Sequence, residues 1–129
     1  MATGFPAATG DVMSAQMFNG LVSFTLNAQT GTTYTSVLND SYQVLVTMNN
    51  ASANAFKIPT NASVAHPVGT VITVLNIGAG TCTISAVTSG TTTVLSAGGT
   101  AAAPTLAQYK SAACIKTGTD TWYVVGAIA

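Results

Sequence analysis

The stretch SVAHPVGTVITVLNIGAG, Ser63–Gly80, holds the only histidine of the chain, a Pro–Val–Gly turn, a run of β-branched residues and two closely spaced glycines. Its reading decides the fold. TVITVLN, residues 70–76, is apolar on both faces and reads as a buried central strand, because a strand covered on both sides has no polar alternation. Pro67 and Gly69 are the turn that enters it. IGAG, residues 77–80, reads as the hairpin that leaves it for TCTISAV, residues 81–87.

The same pattern of short β-rich runs separated by turn residues extends in both directions. Upstream, LVSFTL (21–26) sets Val22, Phe24 and Leu26 on one face, and TTYTSVL (32–38) follows across NAQTG. YQVLVTM (42–48) sets Tyr42, Val44, Val46 and Met48 on one face after the turn signal Asn39-Asp40-Ser41, and AFKI (55–58) comes next. Downstream lie TTTVL (91–95), TLAQYK (105–110), SAACIKT (111–117) and TWYVVGAIA (121–129). Strands at roughly ten-residue spacing predict an all-β fold, an antiparallel β-sandwich or jelly-roll-like barrel. No fixed-period repeat stands out, which argues against a solenoid. Residues 1–20 differ. MATGFPAATG is loop-like, and DVMSAQMFNG predicts a short helical turn capped by Asp11 and ended by Asn19-Gly20. The division is an N-terminal arm, 1–20, and a β domain, 21–129.

Charge is scarce. Three lysines and three aspartates make up 5% of the 129 residues and cancel, where an ordinary domain carries about 25%. Such a chain has no basic track for nucleic acid and no field for an anionic membrane. No apolar run reaches the ~18 residues of a membrane helix, and the N-terminus lacks the basic and apolar regions of a secretory signal. A neutral, charge-poor surface tends to associate, so the composition predicts a subunit that is covered by copies of itself or by a larger assembly.

The residue types that catalysis needs are few. There is one His, no Glu and no Arg. Asp11, Asp40 and Asp120 sit in turn or cap contexts, where a carboxylate accepts local N–H groups. His66 with Cys82 or Cys114 gives no recognised nucleophile or zinc spacing, and both cysteines sit in strand patterns as buried thiols. NIGAGT has no helix pattern or lysine after it and is no phosphate loop. Trp122 and Tyr123 alternate in a strand, so one of the two faces inward. The sequence therefore predicts neither catalytic residue, cofactor nor metal, and a binding or building role.

IPTNASVAHPVGTVITVLNIGAGTCTISA (58–86) resembles a segment of structural proteins of tailed bacteriophages, in which a pattern close to I-P-x-N-x-S-V-A-x-P-V-G-T-x-I-T-V precedes G-A-G and a strand. LNDSYQVLVTMNNASANAFKIP (38–59) resembles its lead-in and YKSAACIKTGTDTWYVVG (109–126) its closing part. The resemblance spans roughly residues 20–126 and implies a non-enzymatic β module, often trimeric, attached to a virion as a capsid decoration (cement) protein or as part of a fibre. That family commonly has an aromatic where this chain has His66. The expectation is a homotrimeric decoration protein on the major capsid protein at the phage head surface, bound to neither nucleic acid nor membrane. Phe5, Met13, Met17, Phe18 and His66 are expected at capsid or intersubunit contacts. The alternative is a tail-fibre or spike head that binds host glycans.

Overall fold

The computed structural model describes residues 14–15, 25–42 and 44–129. Phe5, Met13, Met17 and Phe18, the helical turn after Asp11 and the boundary at residue 20 lie outside the described residues. What is described is all-β: ten strands in two mixed sheets and one 3-10 turn. The strands are β1 (Thr25–Gln29), β2 (Thr33–Thr35), β3 (Val44–Met48), β4 (Asn54–Ile58), β5 (Val71–Asn76), β6 (Cys82–Ala86), β7 (Thr93–Ser96), β8 (Thr105–Leu106), β9 (Lys110–Gly118) and β10 (Thr121–Gly126), with the 3-10 turn at Leu38–Ser41. The larger sheet has the order β1-β3-β5-β9-β10-β7 and the smaller one β2-β4-β6-β8.

From β3 onward the strands lie close to the runs the sequence predicts. β1 instead takes in residues 27–29, read as part of the connection NAQTG, while residues 21–24 of the expected strand LVSFTL lie outside the described residues. The strand pairing also differs from the expectation. Five of the eight pairings among the described residues are parallel, so the expected antiparallel pairing is corrected. From β1 to β6 the chain alternates between the two sheets, and each strand lies parallel to the one two earlier. This part of the chain winds as a coil, although a solenoid was not expected. The register pairs Thr25 with Val44 but Leu45 with Thr73, so successive coils differ in length and leave no fixed period in the sequence.

IGAG is accordingly no hairpin. It is an arch that carries the chain from β5 in one sheet to β6 in the other, and it stacks on the arch of the preceding coil. Ile77 and Gly78 N–H groups donate to the Met48 carbonyl, Gly80 N–H donates to the Asn50 carbonyl, and Asn49 N–H reaches the Gln29 carbonyl below. The arches sit so close that a Cβ on Gly80 would lie 1.9 Å from the Ser52 carbonyl oxygen, and one on Gly78 2.3 Å from the Asn50 nitrogen. Asn76, fully buried, ties the end of β5 to this arch and to β8 through bonds from Nδ2 to the Gly80 and Leu106 carbonyls. Gly69, with φ +97, makes the turn into β5 as the sequence predicts.

Inward residues alternate along both sheets and meet in one core. Val46, Met48, Ile72, Val74, Cys114, Trp122 and Val124 come from the larger sheet, Phe56, Ile58, Cys82, Ile84 and Leu106 from the smaller. Cys82 and Cys114 are free and buried, as expected. Burial pushes their thiols up to about 11 and about 12, which keeps them protonated and inert.

The stacked arches give a direct test. Gly80→Ala should lower the unfolding free energy by about 2 kcal/mol or more, since a backbone carbonyl stands where the methyl would go. Gly90→Ala, at a site open to at least 4 Å, should leave it within about 0.5 kcal/mol of the starting chain. Urea unfolding of the two variants checks both.

Candidate functional site

The connection from β4 to β5, residues 59–70, has no strand of its own. It is held by side chains, and these form the one cluster of titratable groups around His66. The His66 ring is 2% exposed. Its Nε2 lies 3.0 Å from Ser36 Oγ and its Nδ1 2.5 Å from Ser41 Oγ. Its edge meets the Trp122 ring at right angles, with centroids 5.5 Å apart. A hydroxyl both donates and accepts, so the two serines satisfy a neutral imidazole, one taking the ring N–H and the other giving its proton to the bare nitrogen. The local fold delivers them. Ser36 follows β2 and is fixed by its own N–H to the Lys57 carbonyl, while Ser41 ends the 3-10 turn.

Lys116 enters the cluster from β9. Inward-facing and directly opposite Trp122 in the β9–β10 register, it is 2% exposed. Its Nζ donates to Asn61 Oδ1 at 2.6 Å and to the His66 carbonyl at 2.7 Å, and stands 6.0 Å from the centre of the Trp122 ring. Asn61 connects this lysine to an acid, because its backbone N–H donates to Asp120 Oδ1 at 2.8 Å. The same carboxylate oxygen accepts from Thr92 Oγ1. On the far side, Asp40 is 1% exposed and fully engaged: Oδ2 accepts from Tyr34 Oη at 2.7 Å and from Val37 N–H, and Oδ1 from Asn27 Nδ2. The expected turn role of Asp40 holds, with the addition that the turn is internal.

Burial dominates the electrostatics. Desolvation pulls the His66 imidazole below its ordinary value of 6.5; the nearby Lys116 charge pulls the same way and Asp40 opposes. Desolvation likewise pulls Lys116 down, with Asp120 opposing. Tyr34 is pushed up to about 12 by burial and by its bond to the Asp40 carboxylate.

A Ser–His contact of 3.0 Å has the separation of a nucleophile and its base. The rest of that device is missing here. The second ring nitrogen faces Ser41 where an orienting carboxylate would stand, and Asp40 spends its oxygens on Tyr34, Val37 and Asn27. Ser36 is itself 1% exposed. The arrangement holds an uncharged imidazole and a lysine against an indole; it offers no surface to a substrate. Among the described residues no group of three or more His, Cys, Asp or Glu side chains could hold a metal ion, and no helix is long and apolar enough to cross a membrane.

His66, expected at a capsid or intersubunit contact, is buried within the single chain, where its partners are Ser36, Ser41 and Trp122. Alternation sends one of Trp122 and Tyr123 inward, and the structure buries Trp122 at 1% and leaves Tyr123 44% exposed. Ser36, Ser41 and Asn61 were missed as cluster members. They come from three separated segments, and no spacing in the sequence links them. Compared with protein-family models, with curated proteins and with solved structures, the chain has no match.

The sign of the pH effect follows from His66. Its folded value lies below its unfolded value of 6.5, so on acidification the unfolded chain takes up the proton first. Stability should be flat just above pH 6.5 and fall as the pH drops below it. Thermal melts between pH 7.5 and about 5 should show this fall, and His66→Gln, though less stable at neutral pH, should show a shallower one.

Proposed function

We propose that this chain is a structural protein of a tailed-bacteriophage virion, a decoration (cement) protein that stands on the major capsid protein at the head surface as a homotrimer and catalyses no reaction. The observation that carries this reading is the sealing of the His66 cluster. Among the described residues His66, Lys116, Cys82, Cys114 and Asp40 are turned inside, and the surface left to a partner is strand and loop whose only charged side chains are Lys57, Lys110 and Asp120. The residue pattern of segments 38–86 and 109–126 supports the phage assignment by resemblance. A β-sandwich, two sheets stacked across one apolar layer, is the finer form of the fold that suits this role; the core shared by both sheets supports it, and the parallel coils speak against a jelly roll, which is built from antiparallel Greek keys.

Cementing needs no chemistry beyond binding. A protein that binds the assembled shell and not its free subunits stabilises the shell by mass action. The N-terminal arm, with Phe5, Met13, Met17 and Phe18 and only Asp11 charged, is the proposed capsid contact.

One observation favours the second reading, a fibre or spike head that binds host glycans. Tyr109 is 76% exposed in the turn before β9 and holds a left-handed backbone, φ 67. Its N–H donates to the Asn76 carbonyl at 2.6 Å. A strained, presented aromatic ring is a fitting platform for a sugar face.

Labelling virions with an antibody to this chain separates the two. Many copies over the head are expected; a few copies confined to the tail would replace the decoration reading with the fibre reading. Deleting residues 1–18 should abolish capsid binding while leaving the far-UV circular dichroism of a β domain. Retained binding would remove the arm from the contact.

A further inference from the structure

The two sheets differ in what they show to the outside. On the smaller sheet the outward positions form one row of Thr33, Ala55, Thr83 and Thr105 and a second of Thr35, Lys57 and Ser85. Lys57 Nζ donates there to Ser85 Oγ at 2.8 Å. That is an ordinary polar face. On the larger sheet the registers align Leu26, Leu45, Thr73, Ala113 and Val125 in one row across five strands. A second row carries Val71, Ile115, Tyr123 and Leu95. Leu26 is 62% exposed, Val125 50% and Val71 48%. No outward strand position on this sheet is charged: both lysines of β9 have the opposite parity, Lys116 being spent in the interior and Lys110 exposed at the first position of the strand.

We propose that this outer face of the six-stranded sheet is the surface through which copies of this chain associate. Three observations choose a second copy as its occupant. The face is uncharged, so two copies meet without like-charge repulsion and neither needs a complementary charge from another kind of protein. The chain has zero net charge, and with Lys116 and Asp40 buried little charge remains on the described body to keep monomers apart. The area also fits. Six strands ~4.8 Å apart and about five residues long at ~3.3 Å per residue make a face of roughly 480 Å². Two such faces cover on the order of 1,000 Å², the lower bound for a specific interface, and a ring of three around an axis buries more. Main-chain groups inside the sheet are already paired, so association costs little polar desolvation.

The inference deepens the homotrimer of the proposed function and rests on that reading only for the number of copies. It is tested on the purified full chain with no virion component, so it fails or stands apart from the phage assignment. Sedimentation or light scattering over a micromolar concentration series should give an oligomer. Leu26→Lys and Val125→Lys, at opposite ends of one row and already exposed, should each weaken association by more than ~100-fold, since each would desolvate an unpaired ammonium in an uncharged interface. Val68→Lys and Val87→Lys, equally exposed apolar sites off this face, should leave the assembly unchanged. Circular dichroism confirms that each variant is folded. A native chain that stays monomeric overturns the proposal, as do face variants that assemble like the native chain. If the native chain is monomeric and becomes oligomeric when residues 1–24 are removed, the occupant is the chain's own N-terminal segment and the proposal falls.

Discussion

A lysine ammonium taken out of water must find acceptors, and the strandless connection between β4 and β5 is built around one that did. Lys116 sits inward on β9, where alternation would place an apolar side chain. Its two acceptors, Asn61 Oδ1 and the His66 carbonyl, are both supplied by the strandless connection between β4 and β5. The backbone of Lys116 does the same work: its N–H donates to the Thr70 carbonyl and its carbonyl accepts from Gly69. One residue thus pins both ends of a segment that has no ladder of its own. Leaving such a buried charge without partners costs several kcal/mol, so the segment cannot drift while β9 stays in place. His66 is positioned by this arrangement, and through its ring Ser36, Ser41 and the 3-10 turn are drawn to the same end of the body.

Much of the local structure was legible in the sequence, since it depends on neighbours along the chain. The turn at Pro67-Gly69, the inward Trp122 and the buried cysteines follow from turn residues, period-two patterning and side-chain size, whereas TVITVLN, expected to be buried on both faces, buries only one and leaves Val71 48% exposed. What the sequence did not disclose is pairing. Parallel neighbours leave the same alternation as antiparallel ones, and coils of unequal length erase the period that would announce a winding chain. IGAG reads as a hairpin because two glycines near a strand end fit a tight turn; they are needed here because another arch passes within contact distance. The His66 cluster was illegible for a related reason: its hydroxyls and amide gain meaning only once three distant segments are brought together.

Scarcity of charge runs through every level. Of three lysines, one is consumed in the interior, and of the two aspartates within the described residues one is walled in by Tyr34 and Asn27. The polar needs of the interior are met by Ser, Asn and Thr, which cost less to bury than ions because they carry no net charge to desolvate and can both donate and accept. The consequence is a body whose chemistry is inside and whose largest outer face is plain.

The stacked arches bear on how the chain reaches this state. Each coil rests its turn on the one before it, through Met48 and Asn50 carbonyls that accept from residues almost thirty positions later. Such contacts form only after a long loop has closed, so the entropy of closure precedes any reward. Proteins built mainly from distant pairings fold in milliseconds to seconds, where helical bundles take microseconds. During that interval the plain face and the edge of β1 that has no partner among the described residues are open to solvent, and the same lack of charge that suits the finished surface leaves the unfinished one with little to hold other chains off.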